Sequence, residues 1–569
     1  MFRISLVLMV GLFLFAEADG KTWHVSGKTL TGIEQQQQVR TIAQAAALVE
    51  PGDTVIVHSG VYRESVVIEM SGKPDNPIIF RAAAGAGVII TGADRITEWT
   101  KVKGDDHVYT TPWPHNFVTW NQYNTHPDDD YHLLIGRCEQ VFVNGYTLRQ
   151  VIERDKLARD TFYVDLDGEH LYVWSSNNQD VSSAKVKVEA SLRDTILSIK
   201  GDYVTIKGIR FRYAANRAQH GAVEFTGNHL NVDDCIFEYT NSSGASFRGE
   251  DITVRRCTFQ HNGQLGFSTV RAHKLLMTGC TVRNNNIKGF NRGWEAGGNK
   301  ICLARGVVLE NSTFIENRGN GIWFDIGNEE CTVRNCLIAN NEDAGIFYEI
   351  SYSLHAHDNV IVGNGLAYTS SAWGANGGIS ISSSPDCVIE RNLLVGNKEG
   401  FSFREQNRST PRIDNRKSVP VWNHDNIIRN NIIAFNRDAQ TWGWFDISDN
   451  RHWPSRISNG NTEELSLEKL ELTLRDNLYC AGPGAELFNW GVTWKKNKRY
   501  NSLQQVRQEL GLEQGSKVTE FTVSDFSALD FRVPANSLAI EMGCYPKGTI
   551  PDVQLGILGQ NREKIALEP

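Results

Sequence analysis

Two acidic residues, Asp325 and Glu349, occupy the same place in two copies of one local pattern. In each copy a Gly is followed by alternating apolar or aromatic residues and, four positions on, a carboxylate: GIWFD from Gly321 and GIFYE from Gly345, 24 residues apart. Two carboxylates held roughly 5 Å apart are the equipment for double displacement at an acetal carbon, one ionised and attacking, the other protonated and donating to the leaving oxygen. Like charges opposed on neighbouring strands are destabilising, so a purely structural pair would carry an uncompensated cost. Lys300, Ser382 and Arg404 lie on comparable runs, the last two at the same offset of four from Gly378 and Gly400, and Glu295 precedes Lys300 by five residues. Trp294, Trp323, Phe347, Tyr348, Tyr352 and Trp373 surround them in the chain. Flat apolar bodies with polar edges, next to amines and carboxylates, suit a polyhydroxylated ring. Trp323 and Phe347 suit a stacked packing column equally well. With Lys300 close to Asp325, the ammonium keeps that carboxylate ionised and nucleophilic, leaving Glu349 as the acid and later the base. Lys300 and Glu295 then grip sugar hydroxyls, with Trp323, Tyr348, Trp373 and Arg404 completing the binding set. No metal ligands and no cofactor belong to this reading.

These residues need a scaffold that stacks equivalent positions. The phrases NSTFIEN, NCLIANN and NVIVGN begin at Asn311, Asn335 and Asn359, again in steps of 24. Short β-rich runs, Gly and Asn turns and no long amphipathic helix, repeating every 20 to 25 residues or so, predict a parallel β-helix with one coil per repeat. Neighbouring strands then lie about 4.8 Å apart, which sets the spacing of the two acids. Aligned on Cys235, Cys257, Cys280, Ser312, Cys336, Val360, Leu393 and Ile432, successive steps are 22, 23, 32, 24, 24, 33 and 39 residues. The long steps hold NIKGFNRGWEAGG, GLAYTSSAWGANGG and NRSTPRIDNRKSVPVW, which gather at the ends of the acid-bearing strands and mark a binding face.

The chain of 569 residues divides into a signal peptide (1–18), an N-terminal cap and first coils (19–92), an inserted β-rich subdomain (93–186), the active-face β-helix (187–436) and a C-terminal excursion with closing coils and cap (437–569). The apolar run Ile4 to Phe15 before Ala16-Glu17-Ala18 has the form of an export signal and is too short to span a bilayer. The protein is therefore expected to be exported, periplasmic or extracellular, with no membrane span. Asn-Gly and Asp-Gly turns between alternating strands make the insertion antiparallel. Thr41 to Val49 reads as a capping helix, Ser502 to Leu510 as a second helix with Ser502 at its N-cap, and LDFRVPANSLAIEMGCYP as the closing coil. A net charge of −8 disfavours nucleic acid and anionic membranes as partners. Ten Cys in an exported chain permit disulfides, but the repeating positions of Cys235, Cys257, Cys280 and Cys336 predict an interior column of free thiols.

The chain resembles glycoside hydrolase family 120, β-xylosidases built from a right-handed parallel β-helix with an added β-sandwich. The resemblance rests on GDTVIVHSGVYRE, GADRITEWTKV, VFVNGY, DYVTIKG and the central segment. It implies Asp325, in the context Trp323-Phe324-Asp325, as nucleophile and Glu349, in Glu349-Ile350-Ser351, as acid/base. It also implies Glu295 and Lys300 as contacts to the sugar. The loops Leu366 to Trp373 and Asn407 to Val421 do not match that family, and more distantly the chain resembles glycoside hydrolase family 141. The expectation is an all-β enzyme, a retaining glycosidase on plant or algal glycans. The alternatives are a uronate lyase, with Arg404 or Lys300 as base and Ca²⁺ held by Asp325 and Glu349, and a non-catalytic carbohydrate-binding protein.

Overall fold

A computed structural model describes residues 20–119, 134–367, 376–446, 466–482, 486–492, 496–522 and 524–559. The proposed signal segment and Trp373 lie outside them. Three long sheets, of 14, 13 and 13 strands, run the length of a parallel β-helix. Each coil contributes one short strand to each sheet, as in Ile322–Asp325, Glu329–Arg334 and Leu337–Ala339. Among the described residues no helix is long and apolar enough to cross a membrane.

Equivalent side chains stack inside the coil. Phe211, Phe237 and Phe259 stack with centroids 5.1 and 4.7 Å apart. The predicted Cys column is present: Cys235, Cys257, Cys280 and Cys336 are buried, and all ten cysteines are free. It passes through Ser312 and then into Asn359, Asn392, Asn431 and Asn477, each amide donating to the next at 2.9–3.1 Å. A second ladder runs Asn262, Asn285, Asn317, Asn341, Asn364, Asn397, Asn436. These amides satisfy the carbonyls and N–H groups that each coil corner would otherwise bury unpaired.

One alignment shifts by a residue. Leu337 pairs with Val360, so the counterpart of Cys336 is Asn359, whose Oδ1 accepts the Cys336 N–H at 3.0 Å. Asn311 and Asn335 instead occupy a left-handed turn position (φ 48° and 54°) that continues at Asp358 (φ 56°). Asn and Asp both tolerate that conformation, so sequence alone does not separate the two columns.

The coil of Val66–Ile68, Ile78–Ala82 and Val88–Thr91 is complete before the chain leaves the solenoid, and the next coil begins at Leu197–Ile199, which pairs with Val66–Ile68. Between them stand a five-stranded and a four-stranded sheet around Trp99, Trp113, Phe162, Leu171 and Val173. The incoming Ala93–Ile96 and outgoing Val188–Ser191 pair antiparallel, and Phe142 stacks on Tyr213 of the coils. The N-terminal helix is shorter than the sequence suggests, Ile42–Ala46, capped by Thr41 and turning its buried Ile42, Ala45 and Ala46 to the open end of the core. Leu503–Leu510, with Ser502 as N-cap, closes the other end. The last segment does not close a coil. Phe531, Val533, Ala539 and Cys544 pack on the outside of the third sheet against Leu337, Val360, Leu393 and Ile432. The uniformly apolar strands LIA, VIV, LLV and IIA are buried on both faces for this reason.

Candidate active site

The site lies on the outer face of the sheet that contains Gly297–Cys302, Ile322–Asp325, Ile346–Glu349, Gly377–Ser382 and Glu399–Glu405. Small residues start these strands because the coils approach closely there. A Cβ on Gly298 would come within 2.1 Å of the Gly321 carbonyl oxygen, and one on Gly345 within 2.6 Å of that of Gly378. Period-two alternation then sorts the side chains. Ile301, Phe324, Tyr348, Ile381 and Phe403 point into the core. Cys302, Asp325, Glu349, Ser382 and Arg404 form one outward row, with Asp325 and Glu349 on adjacent strands in the register set by Phe324 and Tyr348. Two residues earlier, Lys300, Trp323, Phe347, Ser380 and Ser402 form a second row.

Lys300 is thus not in the acids' row; Cys302 is. The lysine reaches diagonally, placing Nζ 3.0 Å from Asp325 Oδ2, donating to the Trp294 carbonyl at 2.9 Å and lying 4.2 Å from the centre of the Trp323 ring. Burial alone would lower its pKa, but the Asp325 and Glu295 carboxylates outweigh this and hold it above the ordinary lysine value. Glu295 ends the short helix Arg292–Glu295 and accepts from Gln219 Nε2 at 2.7 Å; burial raises its pKa against the pull of Lys300. Arg292 ties the helix to the corner before Ile346–Glu349, two strands on, through Glu342 at 3.0 Å and Asp343 at 3.4 Å.

Asp325 and Glu349 are each less than a tenth exposed. Burial, then the Glu349 charge, pushes Asp325 up to about 6 in spite of Lys300. Glu349 has its own cation, absent from the sequence reading: Arg408 Nη1 lies 2.8 Å from Glu349 Oε1. Arg408 opens an antiparallel hairpin, Arg408–Pro411 with Ser418–Val421, within the third long insertion. Gln406 Oε1 accepts from both Arg404 Nη2 (2.6 Å) and Arg408 Nη1 (3.4 Å), linking the two guanidinium groups. The alternation Arg404, Gln406, Arg408 was the available signal. Burial lowers the pKa of Arg404 to about 9, with Glu349 acting in the opposite sense.

Of the aromatic residues, Trp323 lies beside Phe347, centroids 5.6 Å apart, and its Nε1 is buried with no hydrogen-bond partner. Ser382 Oγ, next to Glu349 in the row, is in the same condition. Both suit a ligand's hydroxyl oxygens. Tyr348 is a correction: it is fully buried in the core, donates its hydroxyl to the Tyr352 carbonyl at 2.6 Å and cannot touch a ligand on the outer face. In a strand ending at an outward Glu349, position 348 must face inward, so the outward aromatic is Phe347. Trp373 is outside the described residues.

A family description, "Right handed beta helix region", matches residues 171–304 and 220–373. No curated protein matches the sequence. The structure of XylC with xylose is similar at 19% identity and a TM-score of 0.61, over 82% of this chain and 85% of that one. A structure described as a glycoside hydrolase covers 68% of this chain and 94% of its own at 12% identity and a TM-score of 0.46. The chain shares the right-handed parallel β-helix fold.

Proposed function

We propose that the protein is a retaining glycoside hydrolase acting on plant or algal glycans, in the manner of a β-xylosidase. The observation that carries this reading is the Asp325–Glu349 pair, on adjacent strands, outward, nearly buried, and each faced by a separate cation. Strand spacing puts such carboxylates about 5 Å apart, the separation of double displacement rather than of direct attack by water. Asp325 attacks the anomeric carbon while Glu349 protonates the leaving oxygen; Glu349 then takes a proton from the water that releases the sugar. Lys300 at 3.0 Å supports the nucleophile's role by favouring carboxylate over acid, and an Asp325 pKa of about 6 leaves it largely ionised at neutral pH. Arg408 holds Glu349 in the resting site and must yield its oxygen for proton donation. Trp323 Nε1, Ser382 Oγ and Glu295 are the hydroxyl-binding groups. XylC, which shares the fold, was solved with xylose, and a pentose is the sugar this reading assigns. Elimination assisted by Ca²⁺ is the weaker reading, because each acid already faces a cation that would repel the ion.

Digestion of a glycan panel in heavy-oxygen water should place the label at the new reducing end, whereas products lighter by one water would mean elimination. Asp325→Ala should abolish turnover without unfolding. Azide should then restore turnover in Asp325→Ala with a product of inverted configuration, and in Glu349→Ala with a product of retained configuration. Near-wild-type rates in Asp325→Ala would sink the assignment.

A further inference from the structure

The hairpin that supplies Arg408 continues past the acid pair toward the N-terminal coils. Its Pro411 carbonyl lies over Gly327, where a Cβ would come within 2.4 Å of that oxygen. The Ile413 N–H and Arg412 Nε reach Glu329 at 3.1 and 2.9 Å, and Asp414 reaches Arg305 at 2.9 Å. The hairpin thereby reaches from Glu349, through Arg408, to Glu329 and Arg305 on the N-terminal side. Under its tip is a cavity of about 120 Å³, lined by Arg271, His273, Arg412 and Arg416 with Leu303 and Pro411.

The charges there do not balance. Four guanidinium groups, of Arg271, Arg305, Arg412 and Arg416, meet the carboxylates of Glu329 and Asp414; a third carboxylate, Glu250, pairs in register with His273 but is held by Lys274 at 2.7 Å. Arg305 is committed to both Glu329 and Asp414, and Arg412 to Glu329 and to the face of Tyr352 at 4.0 Å. Among the described residues Arg271 and Arg416 have no carboxylate within ion-pair distance, although both line the cavity. His273 does not make up the deficit: its Nδ1 accepts the Arg305 N–H at 3.2 Å. A small concave space that presents two guanidinium groups without counter-charges is chemically matched to a planar or tetrahedral oxyanion.

Its place relative to the acids is fixed by register. Arg271 follows Val270, which pairs with Cys302, which pairs with Asp325. Two strand spacings, roughly 10 Å, separate the cavity from the nucleophile along the helix axis. That is the reach of one or two further sugar units.

We propose that this cavity is a subsite for an oxyanion substituent of the glycan, a uronate carboxylate or a sulfate ester, with Arg271 and Arg416 as its ligands. The substrate class is then an acidic glycan rather than a neutral one. The role in turnover rests on the glycosidase reading; the binding does not.

The test titrates xylotriose, glucuronic-acid-substituted xylotriose and sulfated xylotriose into the full chain by calorimetry, for the wild type and for Arg271→Asn/Arg416→Asn. Both positions have left-handed backbone, φ 59° and 51°, which Asn tolerates, so the exchange removes charge without strain. At least one acidic probe should bind more tightly than xylotriose, and the double variant should reduce that preference roughly tenfold to a hundredfold, the worth of hydrogen bonds to a charged group. Preference for the uronate or for the sulfate names the source of the oxyanion. In the wild type, added NaCl should weaken only the acidic probe, which checks the inference without any variant. Equal binding of all three probes, or a preference that survives the double substitution, overturns it. If no probe is hydrolysed while the Arg-dependent preference is present, the glycosidase reading falls and the subsite stands. If xylotriose is cleaved with no discrimination by charge, the reverse holds.

Discussion

Replacing Lys300 with Met keeps much of the side chain's length and removes one charge from the side of Asp325. At the observed 3.0 Å, a unit pair in a medium of effective dielectric constant near 20 interacts by about 5.5 kcal/mol. If only a third of that reaches the Asp325 carboxylate after solvent and Arg408 screen it, about 1.8 kcal/mol remains, more than one pKa unit at about 1.4 kcal/mol each. The pKa of Asp325 starts at about 6, already raised by burial and by Glu349, so loss of Lys300 carries it above 7. The direction follows from charge: the ammonium favours the ionised acid, and its removal favours the protonated one. At pH 7 the nucleophile passes from about nine-tenths ionised to mostly protonated. The assay is the pH dependence of kcat/KM, whose acidic limb should move up by at least one unit in Lys300→Met, with the activity deficit largest below pH 7 and shrinking as pH rises. A limb that stays in place while kcat/KM falls uniformly would mean that Lys300 only grips substrate, and the electrostatic reasoning would be refuted.

Two predictions concern the scaffold. Asn341→Ala removes a side chain that donates to Phe314 O (3.0 Å) and Asn364 Oδ1 (2.9 Å) and accepts from Asn317 (2.9 Å) inside the coil, leaving buried groups unpaired; a loss of roughly 3–5 kcal/mol is expected in denaturant melts, and a loss below about 1 kcal/mol would show the ladder to be dispensable. Glu399 is buried with Oε2 unpartnered, and burial raises its carboxyl to about 7. Because the folded chain keeps this proton where the unfolded chain has lost it, stability falls as pH rises from about 4.5 to 7, by roughly 3 kcal/mol from this group. Glu399→Gln should flatten that slope and gain stability at pH 7 but not at pH 4; an unchanged slope would remove Glu399 as its cause.

The repeat made most of this architecture legible. A short-range pattern that recurs at coil length states both the local strand and what stacks upon it, which is why Asp325, Glu349, Ser382 and Arg404 could be placed in one row, and Cys235, Cys257, Cys280 and Cys336 in one column, from spacing alone. The same logic fails by one residue where Asn serves two adjacent corner positions, as at Asn335 and Asn359. It fails by a whole face where alternation is overlooked, as at Tyr348. What only the tertiary structure decided comes from segments that do not repeat. Arg408 meets Glu349 across 59 residues because a hairpin folds back over the face, Gln219 meets Glu295 across 76, and the C-terminal segment covers the third sheet instead of closing a coil. Lys300 lies off the acids' row and reaches Asp325 only by the length of its side chain. The stacking of identical coils is dictated by local periodicity and backbone pairing. The partners of a charge in a non-repeating loop depend on where that loop lands, and no spacing in the chain encodes that distance.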